Sequence, residues 1–68
     1  MISFAKQMDH AQYIRKTRGM TDAYLRYVID DARGAISAQP DGVNAGYYAD
    51  EINYCSMELF RREKNEIS

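Results

Sequence analysis

The side chains that could carry chemistry in this chain are few and far apart. Cys55 and His10 are each the only residue of their type. A cysteine nucleophile needs a base close to it, and the histidine belongs to a separate N-terminal segment. Cys55 falls on an apolar helical pattern, where a thiol usually behaves as a small buried hydrophobe. We therefore predict that Cys55 is a core residue and that His10 is a solvated surface residue.

Two adjacent acidic pairs, Asp30-Asp31 and Asp50-Glu51, are the other candidates for acid–base or metal chemistry. Neighbouring positions of a helix point about 100° apart, so neither pair converges by itself. The pattern favours a solvated acidic face that can receive a basic partner. Because no nucleophile, base and orienting group can be assembled, we predict that the protein is not an enzyme and needs no cofactor or metal ion.

Basic side chains are concentrated near the N-terminus, at Lys6, Arg15, Lys16 and Arg18. Such cations can contact phosphates, so a nucleic-acid-associated regulator is the alternative interpretation of the chain. The run is short, however, and no recognition helix accompanies it. Cations in the last turn of a helix also stabilise that helix through its dipole. We favour this simpler role and rank nucleic acid below protein as a partner.

Two apolar ladders at helical spacing define the fold. Their members recur every three or four residues, at Leu25, Ile29, Ala32 and Ile36 and again at Tyr48, Ile52, Cys55 and Leu59. This spacing places each set on one side of an α-helix. The intervening sequence Gln-Pro-Asp-Gly, residues 39–42, is typical of a type I turn. We predict an all-α protein built around an antiparallel helical hairpin over residues 21–64.

Local signals give the bounds of the helices. Thr21 is a suitable N-cap for a helix over residues 22–37, and the third helix is predicted over residues 45–64. An additional short amphipathic helix is predicted over residues 2–16, before a glycine that can end it. Residues 1–19 then form an N-terminal helix that either covers one side of the hairpin or projects as an arm.

The length of the chain points to self-association. A chain of 68 residues forms one domain and buries only about 60% of the surface that it exposes when unfolded. Its single cysteine excludes an internal disulfide, so a partner copy is the support that remains. We predict a homo-oligomer, with a dimer favoured, in which the hairpins complete a helical bundle.

The sequence also predicts a cellular location and an uneven distribution of charge. A lone cysteine, the lack of a basic-then-apolar leader and the lack of an apolar run of about 18 residues predict a cytoplasmic protein without membrane association. Residues 1–20 carry four cations and one acid, a net +3, whereas residues 21–57 carry two cations and six acids, a net −4. The chain is therefore an acidic hairpin preceded by a basic segment.

Tyrosine dominates the aromatic residues, with six Tyr against two Phe and no Trp. Its large apolar body and single polar tip explain its enrichment at protein interfaces. We predict a protein-interaction site formed by tyrosines beside the ladders and by the acidic pairs: Tyr24, Tyr27, Tyr47, Tyr54, Asp30, Asp31, Asp50 and Glu51. The simpler alternative is that these tyrosines only mark the boundary between the core and water.

Residues 21–59, with the sequence Tyr-Ala-Asp-Glu-Ile at the start of the last helix, resemble the small accessory proteins of lambdoid bacteriophages. These are encoded by short open reading frames between the exonuclease and excisionase genes. The similarity covers about two thirds of the chain and leaves residues 1–19 unmatched. It implies a nonessential early regulator that acts in the host bacterium, on host physiology or on the lysis–lysogeny choice, through contacts with a host or phage protein. No functional residue is carried over with it.

Overall fold

The computed structural model of the chain describes residues 7–67, and side chains within residues 7–65. This part of the chain contains three helices and no strand: α1, His10–Arg18; α2, Asp22–Ala38; and α3, Ala45–Ile67. The prediction of an all-α fold is confirmed, and α3 continues three residues beyond its predicted end. The molecule is elongated, with principal extents of 49 × 24 × 14 Å.

The predicted start of the first helix is wrong within the described residues. Residues 7–9 are not helical, and α1 begins at His10. Asp9 has an extended backbone, and its side chain accepts a hydrogen bond from the Gln12 amide at 3.2 Å. Asp9 is therefore the N-cap of α1, which separates the helix from the residues before it. The start predicted at residue 2 lies outside the described residues.

The hairpin follows the predicted local signals closely. The Thr21 hydroxyl accepts a hydrogen bond from the Tyr24 amide at 3.1 Å and caps α2. The turn over residues 39–42 is closed by the Gly42 amide, which donates to the Gln39 carbonyl at 2.9 Å. A Cβ atom at position 42 would lie 3.0 Å from that carbonyl oxygen. The tight turn therefore favours a residue without a side chain at this position.

The core lies between the three helices and is small. Tyr13 from α1, Leu25 and Ile29 from α2 and Cys55 from α3 form its buried cluster. Half-buried apolar side chains surround this cluster, at Met8, Met20, Val28, Ile52, Tyr54 and Leu59. Since Tyr13 completes the cluster, the N-terminal helix covers one side of the hairpin and does not project as an arm. The prediction that Cys55 is a core residue is confirmed.

Helix α1 runs parallel to α3 along this covered side. His10 near the start of α1 lies beside Tyr54, and the Thr17 carbonyl near its end accepts a hydrogen bond from Arg62. Within the described part of the chain, none of the helices has both the length and the apolar composition that a membrane span requires.

Candidate interaction surfaces

Four of the predicted interaction residues share one exposed side of α2. Tyr24, Tyr27 and Asp31 are spaced three and four residues apart, which places them on one face of the helix, and Asp30 lies at the edge of this face, three residues after Tyr27. The side chains of Tyr24 and Tyr27 are 50% and 61% exposed, and their rings stack with centroids 5.9 Å apart. We call these four residues the α2 stripe.

The α2 stripe is acidic. Asp30 and Asp31 are exposed, and neither forms an ion pair with another residue of the described chain. They lie one helical turn after Tyr27, so both carboxylates flank its ring. The two cations of α2, Arg26 and Arg33, lie four and three residues from Asp30 at the edge of the stripe, but neither forms an ion pair with it. The stripe therefore combines an aromatic surface with uncompensated negative charge.

Tyr54 and Glu51 occupy a different place, where α1 packs on α3. The Tyr54 hydroxyl lies 2.8 Å from Nδ1 of His10, and the Tyr13 hydroxyl donates to Oε2 of Glu51 at 2.7 Å. His10 is exposed as predicted, but it also has this hydrogen-bonding partner. Glu51 was predicted to be part of a solvated acidic face, and this is wrong because α1 covers it with a hydroxyl donor.

The environment of Cys55 does not favour nucleophilic chemistry. Its Sγ lies 3.9 Å from the Tyr13 hydroxyl, and the side chain is fully buried. Burial raises the pKa of the Cys55 thiol above its ordinary value, with a smaller contribution from the Glu51 carboxylate. Burial and the hydrogen bond to Glu51 also raise the pKa of Tyr13. Both groups therefore stay protonated at neutral pH.

Replacing Tyr13 with Phe tests whether its hydroxyl fastens α1 to the hairpin. The variant keeps the ring in the core but leaves the half-buried Glu51 carboxylate without its donor. We expect the free energy of unfolding, measured with urea, to fall by about 1 to 2 kcal/mol. Tyr27→Phe is the matched control, because the Tyr27 ring is exposed, and it should leave stability unchanged. Equal effects of the two variants would contradict this role for Tyr13.

The remaining predicted residues are spread over the surface. Tyr47 and Asp50 are half-buried in the first turns of α3, and the ring of Tyr47 meets that of Tyr48 edge to face at 6.0 Å. Arg15, Lys16 and Arg18 are exposed on α1, and the ammonium of Lys16 lies 5.7 Å from the centre of the Tyr13 ring. Lys6 lies outside the described residues.

A groove between α1 and α3 was not predicted from the sequence. It has a volume of about 280 Å³ and is lined by Ile14, Thr17, Arg18, Tyr54, Met57, Glu58 and Arg61. Its lining is apolar at Ile14 and Met57 and basic at one end, where Arg18 and Arg61 lie. Met57 is 55% exposed. We call this feature the α1–α3 groove.

A network of ion pairs beside the groove, formed by Glu58, Arg61 and Arg62, was also not predicted from the sequence. The Glu58 carboxylate is only 5% exposed and accepts hydrogen bonds from both Arg61 and Arg62. These bonds hold its pKa at about 2, below the ordinary 4.5, although burial alone would raise it. The spacing of Glu58 to the two arginines, three and four residues, is a sequence signal for such pairs.

Arg62 connects all three helices through this network. Besides Glu58 of α3, its guanidinium donates to the carboxylate of Asp22 in the first turn of α2. It also donates to backbone carbonyls at the end of α1 and in the following turn, those of Thr17, Arg18 and Met20. The Thr17 carbonyl also accepts the Met20 amide at 3.2 Å, and Arg62 adds a side-chain donor from α3 to the carbonyls at the end of α1.

Among the described residues, no group of three or more His, Cys, Asp and Glu side chains could hold a metal ion. The α2 stripe and the α1–α3 groove both present exposed aromatic or apolar side chains. Comparisons of the chain with models of protein families, with curated proteins and with solved structures found no match.

Proposed function

We propose that this protein is a small interaction module that self-associates and acts by occupying a surface of another protein, with no catalytic role of its own. The observation that carries the proposal is the exposure of large apolar side chains in groups. Tyr24 and Tyr27 are exposed together on α2, and Ile14 and Met57, which are 37% and 55% exposed, line one groove between α1 and α3. Grouped apolar side chains at a surface are typical of interaction sites.

The small core supports the same proposal. A domain of this size holds only a few kilocalories per mole of stability from a single core, and four side chains form its buried apolar cluster. Covering exposed apolar groups with a second copy adds to that stability in proportion to the area removed from water. We favour a dimer as the working assembly.

The resemblance to the accessory proteins of lambdoid bacteriophages supplies the biological setting of the proposal. In this setting the protein is an early regulator in the cytoplasm of the host bacterium, where it alters host physiology or the lysis–lysogeny choice. Its mode of action is protein contact, and the exposed aromatic and acidic side chains of the α2 stripe are suited to a basic protein surface. No enzymatic step and no cofactor are part of the proposal.

Sedimentation equilibrium of the wild-type chain over a range of concentrations tests self-association directly. We expect a reversible monomer–dimer equilibrium, and we expect Tyr27→Ala to weaken it at least about tenfold, because Tyr anchors dominate interfaces of this kind. Arg33→Ala is the control, since Arg33 is exposed on the same helix six residues from Tyr27 and is not one of the four stripe residues, and it should sediment as wild type. A wild-type chain that remains monomeric at every concentration would rule out self-association.

Nucleic-acid binding is the second candidate, and the exposed cations of α1 are the observation that favours it. Arg15, Lys16 and Arg18 lie on one short helix, but the hairpin beside them is acidic. Phosphate contacts by three cations would make the affinity for duplex DNA fall steeply with salt, with a logarithmic slope of about −3. We expect weak binding at low salt only, and a strong, steeply salt-dependent affinity would favour the second candidate instead.

A further inference from the structure

The α2 stripe and the α1–α3 groove have matching lengths. The stripe extends from Tyr24 to Asp31, and the groove extends along α3 from Tyr54 to Arg61. Each interval is seven residues, which corresponds to about 10 Å of helix at 1.5 Å per residue. Two turns of the exposed side of α2 therefore have the length that the groove accommodates.

The order of apolar and charged side chains along the stripe also matches their order along the groove. Along α2 the aromatic residues come first and the carboxylates follow one turn later. In the groove the apolar residues also come first along each helix. On α1, Ile14 precedes Arg18, and on α3, Met57 precedes Arg61. A helix laid into the groove parallel to α3 would place aromatic rings on apolar side chains and carboxylates beside guanidinium groups.

The negative groups near the basic end of the groove are already bound by arginines, so they oppose an incoming carboxylate less. The end of a helix normally presents backbone carbonyls that repel an anion. Here the Thr17 and Arg18 carbonyls at the end of α1 accept hydrogen bonds from Nη2 of Arg62, each at 3.2 Å. The single acid of the groove lining, Glu58, is already bound by two arginines. The charge left for a partner is therefore positive.

The size of the groove favours side chains of a protein over a small ligand. Pockets for drug-sized ligands usually measure about 300 to 1,000 Å³ and enclose most of the ligand. The α1–α3 groove measures about 280 Å³ and lies between two helices at the surface. One or two aromatic side chains presented by a helix fit these dimensions.

We propose that the α1–α3 groove is the docking site for the α2 stripe of a second copy of this chain, in a head-to-tail contact with α2 of one copy parallel to α3 of the other. This inference rests on the proposed self-association and specifies its geometry. Tyr27 of one copy lies against Ile14 and Met57 of the next, and Asp30 and Asp31 meet Arg18 and Arg61.

A symmetric contact between two α2 stripes is the competing arrangement. It would bring four carboxylates, Asp30 and Asp31 of each copy, into one interface without a cation from either stripe. Like charges placed against each other in an interface cost several kilocalories per mole. The head-to-tail contact replaces this repulsion with opposite charges. Because such a contact uses different surfaces on the two copies, the favoured dimer is a ring of two copies in which each groove holds the stripe of the other, and a chain of copies is the open alternative.

Complementation between two defective variants tests the arrangement. Met57→Glu places an acid on the apolar part of the groove, and Tyr27→Glu removes the aromatic anchor of the stripe; both positions are more than half exposed, so the fold should tolerate them. Each variant alone should dissociate at concentrations at least about tenfold higher than wild type, as expected for loss of a central anchor. Mixed in equal amounts, they should form a 1:1 dimer, because one intact groove and one intact stripe remain.

Phe60→Glu is the matched control for the groove. Phe60 is 66% exposed on α3, one turn from Met57, but it does not line the groove. This variant should self-associate as wild type does. Circular dichroism of all three variants checks that helix content is unchanged, and sedimentation velocity with one labelled variant measures the mixed dimer.

The outcomes separate this inference from the proposal on which it rests. A wild-type assembly that persists in Met57→Glu would overturn the head-to-tail contact and leave self-association in place. Loss of assembly in Tyr27→Glu without recovery on mixing would identify the symmetric contact between stripes. A monomeric wild-type chain would overturn both, and would leave the groove to an acidic helix of a different protein.

Discussion

Between pH 5 and pH 2, the free energy of unfolding should fall by about 2 to 3 kcal/mol because Glu58 takes up a proton. The pKa of Glu58 is about 2 in the folded chain against an ordinary value of 4.5, and each pKa unit corresponds to about 1.4 kcal/mol. A group with a lowered pKa in the folded state stabilises it at all pH values above the unfolded pKa. That contribution is lost as the pH falls through the folded pKa.

Glu58→Gln isolates this contribution from that of the other carboxylates. Glutamine has a similar shape but cannot attract Arg61 and Arg62 as an anion, so the variant should be less stable than wild type at pH 7. At pH 2 the two proteins should differ little, because the wild-type side chain is then about half neutral in the folded chain and most of the contribution of its charge is already lost. Urea unfolding at intervals of pH measures the difference. A difference that stays constant from pH 7 to pH 2 would show that Glu58 acts through packing and not through charge.

Protonation of Glu58 should also affect the α1–α3 groove. Glu58 holds Arg62, and Arg62 in turn binds the carbonyls at the end of α1. Loss of the negative charge therefore loosens the attachment of α1 as well as the pairing along α3. Since α1 supplies one side of the α1–α3 groove, self-association through this groove should weaken over the same acidic range.

Local signals explain why the hairpin could be predicted from the sequence. Thr21 caps α2 through its own neighbour Tyr24, and Gly42 closes the turn onto Gln39. Each of these contacts spans three residues, so the information lies within a short window of sequence. The apolar ladders then place Leu25 and Cys55 on facing sides of the two helices, where the structure buries both.

Contacts between distant residues explain what could not be predicted. The pairing of His10 with Tyr54 and of Tyr13 with Glu51 depends on the register of α1 along α3, which no local pattern encodes. Glu58 has the spacing of an exposed helical ion pair with Arg61 and Arg62. Its burial depends on residues that are distant in the sequence, since Thr17 and Arg18 of α1 line the groove beside it.

The packing of α1 on α3 also separates the residues of the predicted interaction site into two places on the surface. Spacing along one helix was sufficient to group Tyr24 and Tyr27 with the acids that follow them. Tyr54 lies on α3 beside α1, where its hydroxyl contacts His10. Tyr54→Ala would therefore disturb the attachment of α1 together with any interface, whereas Tyr27 substitutions act on an exposed side chain. Variants of Tyr27 are the sharper tests of binding.

Leu25→Ala should remove most of the stability of an isolated copy. Leu25 is fully buried at the centre of the apolar cluster, and Leu→Ala changes at such sites cost about 2 to 5 kcal/mol. A chain of this length has a total free energy of unfolding of about 3 to 10 kcal/mol. We expect thermal unfolding of the variant, followed by circular dichroism, to begin near room temperature at low protein concentration.

The concentration dependence of that transition connects stability with function. An assembly that binds the folded chain stabilises it by mass action, so the midpoint of the Leu25→Ala transition should rise by several degrees over about a hundredfold increase in protein concentration. Ile36→Ala is the control within the same ladder, because Ile36 is only half-buried at the far end of α2, and its cost should be smaller. Combining Leu25→Ala with Met57→Glu should remove the concentration dependence if copies meet through the α1–α3 groove, since the double variant then unfolds as a monomer.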